Sequence, residues 1–193
     1  MTHFNKSFRW LRSILCVAVF FAIAGASVLE AQQPSETPLI NREHQIKAAY
    51  LYNFARYIQW PENTFKDKKE PFSIGVVGED PIKQNLELLA KTKTIDGRPI
   101  KIKHFPKPLE VKPCQILFLA PSLKPEIQKK ILKKMAKKNV LFVGQMSDFL
   151  DMGGVIDFVV KENRVRLLVD LDAAQREKLK FSAKLLRVAT VVK

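Results

Sequence analysis

The chain has 193 residues and a formal net charge of +14, with 33 Lys and Arg against 19 Asp and Glu. That length suits one domain behind a short leader, and with only two cysteines the chain is no disulfide-built scaffold. A basic balance fits nucleic acid, an anionic membrane surface or an acidic partner, and the N-terminus decides among these.

Residues 1–31 read as a secretory signal peptide: Lys6, Arg9 and Arg12, then an apolar run from Ile14 to Leu29, then small residues up to Ala31. The run is 16 residues, short of the roughly 18 to 20 of a spanning helix; an uncleaved anchor is the rival. Cleavage removes three basic residues and Glu30, leaving 30 against 18 and a net of +12. An exported chain meets no genome, so no nucleic acid is expected as a partner. Only Cys114 remains, at the head of an apolar run, and burial is expected for it.

Residues 32–42 form a polar, proline-containing lead-in, and 43–193 a single domain. A helix capped by Asn41 runs to about Gln59, ahead of Trp60-Pro61. It carries two apolar stripes, one of Leu51, Phe54, Ala55 and Ile58, the other of Ile46, Tyr50, Asn53 and Tyr57. "FSIGVVG" at 72–78 is a strand buried on both faces. Asp80 and Pro81 start a helix with Ile82, Leu86 and Leu89 inward. Residues 98–105 alternate apolar and basic, a strand with one wet face. Residues 115–120 give another buried strand, followed by a lysine-rich helix capped by Ser122 with Ile127, Ile131 and Met135 inward. A third buried strand covers "NVLFVGQ". The segment at 155–171 is a hairpin: Ile156, Phe158 and Val160 alternate on its first strand, "KEN" turns, and Val165, Leu167 and Val169 alternate on its second. The rest closes as helix with a break near Phe181 and Ser182. These elements predict an α/β fold: a mixed, largely parallel sheet covered by helices on both faces, with a C-terminal β-hairpin and helix.

Chemistry-bearing patterns are weak. Gly75 and Gly78 lack a third glycine and a phosphate-binding lysine, and Glu79-Asp80 follows them, so a tight turn is expected. His44 and His104 have no ligand at metal spacing. Asp148, Asp151 and Asp157 lack the calcium-loop pattern. No catalytic residue, cofactor site or metal site is assigned, and no enzyme is expected.

Three segments, "EHQIKAAYLYNFARYIQWP", "FLDMGGVIDFVVKENRVRLLVDL" and "LKFSAKLLRVA", together resemble the YfiR/HmsC family of bacterial periplasmic proteins. The resemblance runs through Lys47, Ala48, Phe54, Trp60, Pro61, Ser182, Leu185 and Leu186. It implies a regulatory binding protein that inhibits a membrane-anchored signalling enzyme, a diguanylate cyclase or another sensor protein, through its periplasmic domain, and so controls cyclic di-GMP and biofilm. The paired cysteines of well-studied members are not matched, since Cys114 stands alone. A periplasmic small-ligand sensor is the alternative; a homodimer is left open. Tyr50, Tyr57, Trp60, Phe158 and Arg166 are the candidates to meet a partner; for the stripe of Tyr50 and Tyr57, with Trp60, the alternative is core packing on another helix.

Overall fold

Short runs of β-branched and aromatic residues, each interrupted by a helical stretch with one apolar stripe, can hide their backbones only by stacking side by side under helices. The computed structural model, which describes residues 37–162 and 164–192, has that arrangement. The expected leader lies outside the described residues. Helix α1 spans Thr37–Tyr57, followed by β1 (Ile58–Gln59), β2 (Phe72–Val77), α2 (Ile82–Thr92), β3 (Thr94–Ile95), β4 (Arg98–Phe105) and β5 (Ile116–Leu119). Then come α3 (Pro125–Met135), β6 (Leu141–Gly144), β7 (Ile156–Lys161), β8 (Arg164–Val169), α4 (Leu171–Arg176), β9 (Lys180–Phe181), α5 (Ala183–Leu186) and β10 (Thr190–Val191).

The main sheet is ordered β10-β8-β7-β6-β5-β2-β4-β3. Its centre, β4-β2-β5-β6-β7, is parallel. β8 returns antiparallel to β7, the expected hairpin, with Ile156 opposite Val169, Phe158 opposite Leu167 and Val160 opposite Val165. The crossovers β2-α2-β4 and β5-α3-β6 run in opposite directions along the sheet, so right-handed connection puts α2 and α3 on opposite faces. α1 packs on α2. It runs antiparallel to the strands, because His44 meets Asp80 just after β2 while Trp60 meets Phe72 at the start of β2. The mixed α/β sheet expected from the sequence is present.

The first stripe of α1 is core: Leu51, Phe54, Ala55 and Ile58 are at most 4% exposed. The second stripe, Ile46, Tyr50, Asn53 and Tyr57, is half-buried. β2, β5 and β6 are buried throughout. A methyl group on Gly75 would come within 2.5 Å of a Leu117 methyl, so only glycine fits this crossing.

Four local expectations are corrected. α1 begins at Thr37 and Asn41 lies inside it instead of capping it. α1 also stops at Tyr57, because Ile58 and Gln59 pair antiparallel with Phe181 and Lys180. Ser122 does not cap α3, which starts at Pro125; its hydroxyl donates to the Glu79 carbonyl at 3.2 Å. The C-terminal segment breaks at Phe181 as expected, but the break is a strand, β9, and the last residues are not helix: β10 joins the main sheet beside β8. One buried acid pins the far end. The Glu177 carboxylate, 4% exposed, accepts from the N–H groups of Lys137 at 2.7 Å, Lys138 at 3.1 Å and Val140 at 3.2 Å, holding the turn before β6, where Lys137 and Asn139 have positive φ.

Candidate partner-binding surface

Trp60 precedes Pro61 and cannot stay helical, so the chain leaves α1 in extended form and zips onto β9. The Ser182 N–H donates to the Tyr57 carbonyl at 2.9 Å, and the Ser182 hydroxyl caps α5 by accepting from the Leu185 N–H at 3.3 Å. This brings Lys184 to Tyr57, with its Nζ 4.9 Å from the ring centre. Arg56 also approaches it, its guanidinium carbon 5.7 Å from the same centre. The lysine's hydrogen bond and charge, with a smaller push from Arg56, hold the Tyr57 hydroxyl below its ordinary pKa, against a burial effect that raises it. Half-buried Tyr57 is therefore an aromatic ring flanked by two exposed cations.

Around the corner Trp60 meets Phe72 edge-on, centroids 5.1 Å apart at 86°. Its buried indole Nε1 has no hydrogen-bond partner. Arg98 lies 4.0 Å above the Phe65 ring and donates to the carbonyls of Asp67 at 2.6 Å and Glu70 at 2.9 Å. Between these groups opens a cavity of about 500 Å³ whose walls include Arg56, Trp60, Phe65, Phe72, Asp96 and Arg98.

The five residues named from the sequence fall in three places. Tyr57 and Trp60 share the surface just described. Phe158 is placed inside the core, 1% exposed, because alternation along β7 turns it toward α1. Its ring lies 6.0 Å from Phe54, 6.1 Å from Tyr50 and 6.3 Å from Phe118, so Tyr50 is half-occupied by the same aromatic cluster. Arg166 is exposed on β8, opposite Val159. Arg56, Phe65, Arg98 and Lys184 belong to the surface without having been singled out. The proline stop after Trp60 hinted at the aromatic end of α1, but nothing local pairs residue 57 with 184 or 65 with 98.

At the opposite edge, where β2 and β5 diverge, open α/β sheets ordinarily bind ligands. Here the loops after β2 and β5 are joined by the bond from the Ser122 hydroxyl to the Glu79 carbonyl. The N-terminal half of α1 lies across this edge. His44 Nε2 is 3.6 Å from Asp80 Oδ1, and the ammonium of Lys47 donates to Glu43 and to Gln145. His104 Nε2 sits 3.0 Å from the Gly78 carbonyl and 3.3 Å from Glu79. Asp157, 3% exposed, accepts from the Met146 N–H at 2.9 Å. Burial pushes its carboxyl up to about 6, with that bond pulling the other way. Cys114 is 5% exposed, and burial raises its thiol to about 11 against a lowering by Lys103. Among the described residues no cluster of His, Cys, Asp or Glu is arranged to hold a metal ion, and no helix is long and apolar enough to cross a membrane.

Comparison with known proteins gives one family: the model of the YfiR/HmsC-like family matches residues 44–190. No curated protein matches. Among solved structures, a conserved domain protein from Vibrio cholerae O1 biovar El Tor is similar at a TM-score of 0.50 and 12% identity, over 81% of this chain and 60% of that one. The ABC domain from Streptococcus pneumoniae, solved in complex with L-Trp, is similar at a TM-score of 0.45 and 9% identity, over 63% of this chain and 55% of that one. This chain thus spans less than two thirds of either neighbour, and the first likeness is one of fold.

Proposed function

The chain belongs to the YfiR/HmsC-like family, and from that premise we propose that it is a periplasmic regulatory binding protein. It holds a membrane-anchored signalling enzyme, a diguanylate cyclase in the leading case, inactive by gripping its periplasmic domain. The observation that carries this reading is the extent of the family match, residues 44–190. It takes in both segments whose side chains meet at Tyr57 and Lys184. A ring flanked by two cations, next to a second aromatic with a spare donor, suits a protein surface that offers carboxylates and apolar side chains. The grip works by differential affinity: the regulator binds the inactive state of the enzyme better than the active one, and the population follows that difference. Membrane fractions of the native host, passed over immobilised protein, should yield a cyclase or another sensor. Deleting the gene should raise cyclic di-GMP, and unchanged cyclic di-GMP with no cyclase captured would overturn the reading.

A second reading rests on the buried Trp60 Nε1 without a partner beside a cavity of about 500 Å³. In it, the cavity takes a small acceptor-bearing solute that tunes the grip. The sequence has two tryptophans, and the other, Trp10, lies in the expected leader. Trp60 fluorescence in the cleaved protein therefore reports occupancy directly, and a solute screen that leaves both emission and melting temperature unmoved argues against this reading.

A further inference from the structure

The strand at one end of the sheet, β4, is unfinished. On its inner side it pairs with β2 along six residues, Ile100 to Phe105. On its outer side β3 covers it only at Arg98 and Pro99. The Gly78 N–H donates to the Phe105 carbonyl, and alternate residues of a strand bond to opposite neighbours. Lys101, Lys103 and Phe105 therefore turn their backbone groups inward, and Ile102 and His104 turn theirs outward. Among the described residues no strand meets those outward groups.

A groove of about 440 Å³ lies between this edge and α2, floored by Ile100, Ile102 and Ala90 and rimmed by Lys91, Lys101 and Glu87. Glu87 is offset by Lys83 at 3.8 Å. Leu88, three residues before Lys91 on the same helix, is 61% exposed. Basic residues on an edge strand commonly keep other copies of the same chain away. They do so here: an antiparallel second copy centred on Ile102 would set Lys101 against the other copy's Lys103, a like-charge pair.

We infer that the open edge of β4 is a docking strand for an extended segment of a partner protein that alternates apolar and acidic residues. The segment's backbone pairs with Ile102 and His104. Its apolar side chains lie over Ile100 and Ile102 toward α2, and its carboxylates meet Lys101 and Lys103 on the other face. This edge, Ile100 to His104, is used by none of the residues named for the surface at Tyr57, and the proposal stands whether or not the partner is a cyclase.

The test uses the exported chain and a capped synthetic octapeptide of alternating valine and glutamate. Amide hydrogen exchange is followed with and without peptide. The expected result is a slowing of about tenfold or more at Ile102 and His104, with affinity reduced about tenfold in Lys101→Glu. Lys101 is exposed, so its replacement leaves the fold intact, and an unchanged melting temperature verifies that. A Lys101→Glu/Lys103→Glu chain should prefer a valine-lysine peptide. No binding, binding without protection of those two amides, or equal binding of the valine-lysine peptide by the unaltered chain would each overturn the proposal.

Discussion

Lys47 and Gln145 are joined side chain to side chain although 98 residues separate them: the ammonium of Lys47 donates to the Gln145 amide oxygen and to Glu43 one turn earlier on α1. Lys47 is 1% exposed, so those two partners stand in for the water its ammonium group has lost. Glu43→Ala should therefore cost about 3 kcal/mol, because it leaves a buried cation half-satisfied. Lys47→Met, which removes the charge itself and keeps the volume, should cost less. Urea melts of the two variants give the order; a Glu43→Ala protein as stable as the parent would refute this account of Lys47.

Asp157 predicts a pH dependence. Its folded pKa, about 6, lies above the ordinary 3.8, so the folded state binds this proton more tightly than the unfolded chain does. The resulting stabilisation is complete below about pH 4 and is lost as pH rises through 6. Asp157→Asn keeps an acceptor for the Met146 N–H and removes the charge. It should raise stability at pH 7 by about 1–3 kcal/mol and flatten the dependence between pH 4 and 6. Parallel curves for the two proteins would show that Asp157 does not titrate in this way.

Cys114 should be nearly inert in the native protein, since burial both hides the thiol and keeps it protonated. A thiol reagent at pH 8 should label it slowly in buffer and rapidly in denaturant. Fast native labelling would place the sulfur at the surface.

The two stripes of α1 separate by mutation. Phe54, 0% exposed, should cost about 3–5 kcal/mol as Phe54→Ala. Tyr57→Ala should move the melting temperature by no more than about 4 °C while weakening capture of the signalling enzyme. Lys184→Ala should raise the Tyr57 pKa toward 10, read by ultraviolet titration, because Lys184 is the largest cause of its lowering. A Tyr57 variant that melts like Phe54→Ala would assign that ring to the core.

Export is checked by mass spectrometry of the protein from its native host. The first residue should be near Gln32, or near Ser27 if the earlier small-residue pair is cut; an intact Met1 would favour the anchor.

The buried strands were legible because Phe72–Val77 and Ile116–Leu119 are apolar on both faces, and β4 because its basic residues alternate with apolar ones. The two-residue strands of the C-terminal segment were not. Leu179, Phe181 and Leu185 suit a helix, and a two-residue pairing such as Ile58 with Phe181 and Gln59 with Lys180 is too short to leave a period of its own. The turn at Asp96 and Gly97, both with positive φ, carries an Asp-Gly hairpin signal that a reading passing straight from α2 to β4 leaves unused. Of the surface, Tyr57 and Trp60 were visible as aromatics at a helix end. Phe158 was misjudged because period-two alternation gives two faces without saying which is wet. Lys184 and Arg98 reach their rings only through tertiary structure.

The pairing of β1 with β9 also sets an order of completion. In an exported chain, which folds after crossing the membrane, Gln59 waits for Lys180, and Tyr57 for Lys184, until nearly the whole domain has emerged. Such long-range closure is slow relative to local helix formation. The surface around Tyr57 is thus among the last parts of the molecule to form, and a chain clipped before residue 180 carries only half of it. A partner that reads both halves together would respond to finished copies alone and pass over the fragments.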